Sequence, residues 1–223
     1  MNIVNNSLAR ESFDIAAAAV IKAGYTVQGT KLAPGYLRSE MAINATTTTY
    51  KIPILITDTS NGTPFNTEQR LNLQDSFFIA EIGIFLAVPT GTTDAAFEVL
   101  TYPDPTLFAT SGAARSTNTL YNGKLIASVN NDTINPGWDI LRHRIAPHTQ
   151  DGIIGATGGG TPVNSTDMST DGFYPVQPVM TNVGSKNINW VISLPAAIAT
   201  IQANSRIIFI QRGLLAQNCT PVN

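Results

Sequence analysis

The chain has 223 residues and a formal net charge of −2, with charged side chains at 13% of its positions and apolar ones at 43%. A chain of this length buries roughly 70% of its unfolded surface, so it needs neither disulfides nor a metal ion to fold. The sequence contains no basic run, so we expect no direct binding to nucleic acid, which relies on clustered Lys and Arg. The single cysteine, Cys219, excludes an intrachain disulfide.

The remaining polar residues are mostly Thr, Asn, Ser and Gln. Such a weakly charged surface is expected of a protein whose sides contact other subunits, and equally of an ordinary low-charge β domain. The opening MNIVNNSLARESFD lacks the basic and apolar regions of a secretory signal. We therefore expect the protein to be made in a cytoplasm and to stay there.

The first predicted element is an N-terminal α-helix that Asn6 or Ser7 caps and Gly24 ends. Its narrow, alanine-rich stripe suits close packing on a flat partner, which is either the chain's own domain or a neighbouring subunit. We expect residues 1–30 to form a helix and an arm, and Phe13, Val20 and Ile21 to be subunit-interface candidates. The apolar positions at helical spacing are Phe13, Ala16, Ala17, Val20 and Ile21.

The next strong signal is the apolar run from Ser76 to Val88, which has Glu81 near its middle. It is too short for a membrane span, which needs about 20 apolar residues. Every second residue from Phe78 to Val88 is apolar, and this period predicts a strand with that row in a core. The opposite row is mixed, so we expect a neighbour to cover it. Glu81 and Phe85 on this row are interface candidates.

The rest of the chain alternates strand patterns with loops rich in turn-forming residues. The pair Asn122-Gly123 predicts a two-residue hairpin turn. With eight to eleven strands and no βαβ rhythm, residues 31–223 are predicted to form an all-β sandwich or barrel. The other predicted strands are residues 46–57, 96–102, 120–129, 139–145, 173–181, 188–194 and 206–216.

The histidines, His143 and His148, both lie in LRHRIAPH, where no third ligand stands at a metal-site spacing. The cluster Arg142-His143-Arg144 is instead predicted to meet carboxylates of a neighbouring chain, which makes these three residues interface candidates.

Catalytic signatures are missing from the sequence. No G-x-S-x-G motif occurs, and GATGGGT lacks the lysine of a phosphate-binding loop. We therefore expect no catalytic residues, no enzyme activity and no cofactor. Calcium held by loop acids such as Asp104, Asp132 or Asp167 stays an alternative, because carboxylate oxygens suit that ion.

Four stretches in this order, RLNLQDSFFIAEIGIFL, LYNGKLIASVNN, INPGWDILRHRIAPH and SRIIFIQRGLLAQN, follow the N-terminal helix. Together they resemble jelly-roll major capsid proteins of tailless icosahedral bacteriophages, including those with an internal membrane. The resemblance implies a jelly-roll sandwich, either a single barrel or a very compact double barrel. It implies a structural role in which copies self-assemble into trimers or hexamer-like capsomers of a virion shell.

The implied partners are copies of the chain itself, other virion proteins and an internal membrane. The implied location is the virion, after synthesis in the host cytoplasm. The chain departs from coat proteins that bind the genome directly, because it has no basic arm.

Two other classes compete with this interpretation. A carbohydrate- or receptor-binding β-sandwich, such as a fibre, a spike or an accessory virion protein, would present an exposed aromatic ring. Trp138 beside the turn in NPGWD is the best candidate for that ring. A cupin-like enzyme would need several histidines and an acid on barrel strands, and two histidines in one short stretch do not supply them.

Overall fold

A computed structural model describes residues 14, 17, 18, 21, 31–59, 64–146 and 172–218 of the chain. In these residues, eight strands form two four-stranded antiparallel sheets. One sheet has the order β1-β8-β3-β6 and the other has the order β2-β7-β4-β5. The strands are β1 (Lys31–Ala42), β2 (Thr49–Ile52), β3 (Ser76–Ala87), β4 (Lys124–Val129), β5 (Asp132–Asp139), β6 (Phe173–Val183), β7 (Ile188–Ser193) and β8 (Arg206–Gln217).

Apart from the helical positions 14, 17, 18 and 21, the helices of the described residues are short. They are the α-helix Ala113–Thr117, the 3-10 helix Asn118–Asn122 that continues it, and the 3-10 turn Leu141–His143 after β5. Within the described part of the chain, no helix has the length and apolar character needed to cross a membrane.

The main core draws side chains from both sheets, as in an all-β sandwich. The ring of Trp190 on β7 packs against Phe209 on β8, with the ring centroids 5.5 Å apart. Two linked, buried hydrogen bonds lie beside this contact. The Trp190 indole donates to Asn182 Oδ1 at 3.0 Å, and Asn182 Nδ2 donates to Gln211 Oε1 at 2.7 Å. The all-β class predicted from the sequence is therefore confirmed.

The long strand predicted at residues 76–88 is confirmed as β3, but its predicted unbroken inward row is wrong. The register of β3 against both neighbours shifts between Ile79 and Glu81. A bulge adds one residue to a strand and so moves the following side chains to the other face. The residues of β3 that enter the main core are accordingly odd-numbered before the bulge and even-numbered after it: Phe77 and Ile79, then Ile82, Ile84 and Leu86.

Two edge strands were not predicted from the sequence, because they contain turn-forming residues. In β1, Pro34 is followed by Gly35, and in β5, Pro136 is followed by Gly137. Both strands lie at sheet edges, where a residue without an N–H need not break the ladder. Pro136 also falls where the register between β4 and β5 shifts.

The hairpin predicted at Asn122-Gly123 is wrong, because Asn118–Asn122 is a 3-10 helix. The real two-residue turn is Asn130-Asn131, which joins β4 to β5 with positive φ angles of 51° and 71°. Asparagine tolerates this left-handed conformation better than most residues, and the turn type requires it at both central positions.

Three other strand predictions are wrong in whole or in part. Residues 96–102 contribute only an isolated bridge between Leu100 and Leu86. The strand predicted from Asp139 instead ends there as β5, and the turn Leu141–His143 follows it. Of the predicted strand 46–57, only Thr49–Ile52 is a strand, and Pro53 follows it directly.

The predicted N-terminal helix falls mostly outside the described residues. The four described positions within it, residues 14, 17, 18 and 21, are helical, and Ile21 is 60% exposed. Phe13 and Val20 lie outside the described residues, so the bounds of this helix stay a prediction.

The bulge in β3 depends on a glycine in the facing strand. A Cβ built on Gly213 would lie 1.9 Å from the carbonyl oxygen of Phe78. We expect Gly213→Ala to lower the free energy of unfolding by about 2–3 kcal/mol, because backbone must move to admit the methyl group. Gly137→Ala is the matched control, since nothing lies within 4 Å of its added Cβ. Urea unfolding measures both variants, and equal losses would show that the close approach at Gly213 is not tight.

The hairpin turn gives a second prediction. Asn131→Ala should lower the free energy of unfolding by about 1 kcal/mol, since the left-handed conformation is unfavourable by roughly 1–2 kcal/mol for alanine. Asn131→Gly should cost nothing, because glycine adopts it freely. Thermal unfolding of both variants checks this, and an equal destabilisation by glycine and alanine would contradict the turn geometry.

Candidate functional site

The cluster predicted from LRHRIAPH lies in the turn that follows β5. Asp139 begins this turn by accepting the Leu141 N–H with its Oδ1 at 2.9 Å. Arg142 and Arg144 are exposed, whereas His143 is fully buried. The three neighbouring residues therefore divide between the surface and the interior, and His143 lies inside its own chain.

Both ring nitrogens of His143 have partners. The Trp138 indole N–H donates to Nε2 at 2.9 Å, and Nδ1 lies 2.8 Å from the carbonyl oxygen of Gly172. Because an indole only donates and a carbonyl only accepts, Nε2 must be the acceptor and Nδ1 must carry the proton. Burial lowers the His143 pKa to about 4, although the Gly172 carbonyl opposes this shift. The imidazole is therefore neutral at neutral pH.

Arg142 covers the aromatic ring that a sugar-binding site would need. Its guanidinium carbon lies 4.3 Å from the centroid of the Trp138 ring and 5.8 Å from that of Tyr174. Arg144 uses its Nε–H to donate to Asn118 Oδ1 at 3.1 Å. The surface of the turn is therefore a cationic patch, with one face of the tryptophan occupied by the Arg142 guanidinium.

The two β3 candidates lie on the side of the β1-β8-β3-β6 sheet that points away from the main core, which we call the outer face. Phe85 is buried there in a second cluster with Phe97, Val99 and Ile208, and its ring centroid is 5.1 Å from that of Phe173. The cover expected from a neighbour is therefore supplied at Phe85 by the same chain.

Glu81, the other candidate, is half-buried at the bulge. It is aligned with Arg212 of β8 on one side and with Pro175 of β6 on the other.

A buried ionic network at one end of this sheet was missed by sequence analysis. Glu40 of β1 is fully buried, and its two carboxylate oxygens accept hydrogen bonds from two arginines. Arg206 Nη1 lies 3.0 Å from Oε2, and Arg38 Nη2 lies 2.8 Å from Oε1. The Thr67 hydroxyl donates to Oε1 as well. An alternation of charged residues in β1 was the available signal, but Pro34-Gly35 concealed the strand.

The same network fixes two loops onto the sheet. Arg206 Nη2 donates to the carbonyl of Thr92 at 2.6 Å in the loop after β3, and its guanidinium carbon lies 3.9 Å from the Phe65 ring centroid. In the loop before β3, Glu68 accepts the Glu40 N–H at 2.8 Å and pairs with Arg70 at 2.8 Å. Each of these charges is paired with an opposite charge inside the chain, which indicates a structural role for them.

The outer face is unusually apolar for the exposed side of an antiparallel sheet, which is commonly polar. Phe97 and Val99 cover part of it, but Tyr36 of β1 is 54% exposed beside an open cleft of about 500 Å³. The cleft is lined by Pro34, Gly35, Tyr36, Arg38, Ile210, Arg212 and Gly213. A further apolar cluster on this face comprises Leu32, Phe78, Val179, Leu214 and Ala216.

The residues considered for metal binding are not gathered by the described part of the structure. Among the described residues, no three His, Cys, Asp or Glu side chains form a group that could hold a metal ion. Asp104 Oδ1 accepts the Thr106 N–H and hydroxyl, each at 2.7 Å, and Asp132 is exposed at the start of β5. Asp167 and His148 lie outside the described residues.

A comparison of the chain with protein families, with curated proteins and with solved structures found no match. The support for a function therefore comes from the sequence pattern and from the contacts of the described residues.

The buried network gives a prediction about stability. Glu40→Gln should lower the free energy of unfolding by about 3–5 kcal/mol, because it leaves the buried Arg206 guanidinium without its counter-charge. The control is Lys51→Met, which removes the pair with Asp58 at 3.5 Å, where the Lys51 side chain is 43% exposed. That pair should contribute at most about 1 kcal/mol. Urea unfolding compares the two, and a loss at Glu40 no larger than at Lys51 would contradict the structural role of the network.

Proposed function

We propose that this chain is a structural protein, the major capsid protein of a tailless icosahedral bacteriophage, which self-assembles into trimers or hexamer-like capsomers of a virion shell. The observation that carries the proposal is the apolar outer face, which leaves an exposed aromatic residue and an open cleft on a sheet already buried on its inner side. The low charge of the whole chain supports it. The further partners in this proposal are other virion proteins and an internal membrane.

The strand order supports a sandwich of the jelly-roll type. Pairing joins β1 with β8, β2 with β7, β3 with β6, and β4 with β5. These pairs follow one another along a long two-stranded antiparallel ribbon, which has the Asn130-Asn131 turn at its closed end. The ribbon folds over so that its strands form two sheets. Eight strands in two sheets are what a single jelly roll contains, and this fold occurs in viral capsids as well as in lectins and cupins. The described strands therefore favour a single barrel over a compact double one.

The sheet edges indicate how copies would meet. Three edge strands contain proline, and the fourth, β2, is followed directly by Pro53. The prolines are Pro34 of β1, Pro136 of β5, and Pro175 and Pro178 of β6. The four central strands, β8, β3, β7 and β4, contain none. Proline at an edge prevents another strand from extending the sheet. Copies are therefore expected to meet through side chains of faces and loops, with a second copy seated on the outer face at Tyr36.

Assembly of the purified protein tests the proposal. Light scattering and electron microscopy should show capsomers or closed shells, in amounts that increase with the protein concentration. Tyr36→Glu should weaken assembly at least about tenfold, because a carboxylate would have to be desolvated in the apolar contact. The control is Thr49→Glu, an exposed position on the outer side of the other sheet. A stable monomer at high concentration, or a Tyr36→Glu variant that assembles as well as the control, would overturn the proposal.

The carbohydrate- or receptor-binding alternative has weaker support, because Arg142 covers a face of Trp138. Binding to a glycan array that is lost in Trp138→Ala would favour that alternative instead.

A further inference from the structure

We propose that His143 is an acid-sensitive latch that holds the end of β5 and the turn after it to the start of β6. The imidazole stands between the Trp138 indole of β5 and the carbonyl of Gly172, which directly precedes β6. The inference does not depend on the proposed function, since it rests on the contacts of one buried side chain.

The two hydrogen bonds permit only one protonation state. With the proton on Nδ1, the ring donates to Gly172 and accepts from Trp138 through Nε2. A second proton, taken from solvent, would bind at Nε2 and point at the indole N–H, so that two donors would face each other. The bond to Trp138 would break, and a cation would remain in a fully buried position. Protonation therefore favours a state in which the ring has left the site.

The latch also joins parts of the chain that other contacts fix to the core. Gly172 has a φ of 86°, and a Cβ there would lie 2.8 Å from the Phe85 ring. On the other side of the turn, the Ile145 N–H and carbonyl both bond to Thr101, at 3.4 and 2.5 Å. Opening at His143 is therefore local: it removes the link between the turn and the start of β6 and loosens both, while the β3-β8 centre of the sheet keeps its own hydrogen bonds.

The charged groups around the ring do not offset its burial, which is the largest cause of its lowered pKa. On its own turn, Asp139 favours the protonated ring, but Arg142 opposes it and Arg144 adds a further positive charge. The elements packed against the turn carry Tyr121 on the 3-10 helix Asn118–Asn122, Glu81 on β3, and Tyr174 on β6. Burial raises the pKa of Tyr121 far above its ordinary range, so this group stays neutral. The Tyr174 ring meets the imidazole edge-on, with centroids 5.2 Å apart, and offers no charge.

The size of the effect follows from proton linkage. The pKa of His143 is lowered from 6.5 to about 4 in the closed state. The open state therefore binds more protons below pH 6.5, and closure is weakened as the pH falls from 6.5 towards 4. The ratio of open to closed latch should rise almost tenfold per pH unit in the middle of this range, and by about 80-fold between pH 6.5 and pH 4.

Hydrogen exchange over this pH range tests the latch. After correction for the intrinsic pH dependence of exchange, amides of residues 138–145 and 172–176 should lose protection as the pH falls, while those of β3 and β8 keep theirs. The comparison variant is His143→Gln, whose amide oxygen can accept the Trp138 indole bond without titrating. It should retain protection in both segments at low pH. Loss of protection by the segments and the central strands together, or equal losses in His143→Gln, would overturn the proposal.

A measurement on the unmodified chain decides the matter if His143→Gln does not fold. Only two histidines occur in the sequence, so their two imidazole resonances can be followed separately by NMR. One should titrate near pH 4, together with a change in the indole N–H signal of Trp138. Two histidines that both titrate near 6.5 would overturn the latch.

Discussion

Burial of apolar side chains on both faces of the β1-β8-β3-β6 sheet is the interaction that organises the molecule. In most antiparallel sheets, one face packs on a core and the other is wetted. Here β3 sends Phe77 and Ile82 into the main core, while Phe78 and Phe85 are buried on the outer face. Although Arg38, Glu81 and Arg212 also lie on the outer face, its apolar side chains are poorly suited to water, so they have to be covered by the same chain or by another one.

A loop covers part of the outer face, and the ionic network holds that loop in place. Glu40 and Arg206 lie at neighbouring edge and central strands of the sheet, and their charges are satisfied within the chain. Arg206 at the same time holds the loop after β3 through Thr92, and this loop leads to Phe97 and Val99, which cover Phe85. A buried ion pair of this kind is not a source of large net stability, but it makes any other loop arrangement costly. The loop cover nevertheless stops short of Tyr36, and that is where a second copy would sit.

The sequence predicted the parts of this fold that hydrophobic period controls. The central strands β3, β7 and β8 were located closely, because each is a run rich in apolar residues, with the clearest alternation in β7, and no proline interrupts it. The edge strands β1 and β5 were missed because Pro34 and Pro136 are turn signals in a local window, and only the tertiary position at an edge makes them acceptable. The bulge after Ile79 could not be predicted, because both rows of β3 contain apolar residues. The sequence therefore does not show which row faces the core on either side of the bulge.

The candidate site was only partly accessible from the sequence for a related reason. The cluster at Arg142, His143 and Arg144 was noticed, but its division into two exposed arginines and one buried histidine depends on a 3-10 turn that has no period to detect. Glu40 and Arg206 are 166 positions apart, and the residues next to each of them in the sequence do not indicate a charged partner. Such long-range pairs emerge only when the order of the strands is known.

The central proposal concerns the surface: a second copy of the chain would contact the outer face around Tyr36. Hydroxyl-radical footprinting of the assembled and dissociated protein tests that claim most directly. We expect Tyr36 to become strongly protected on assembly, while an exposed residue of the other sheet, such as Ile134, provides the reference for each sample. Equal labelling of Tyr36 in the two states would contradict it.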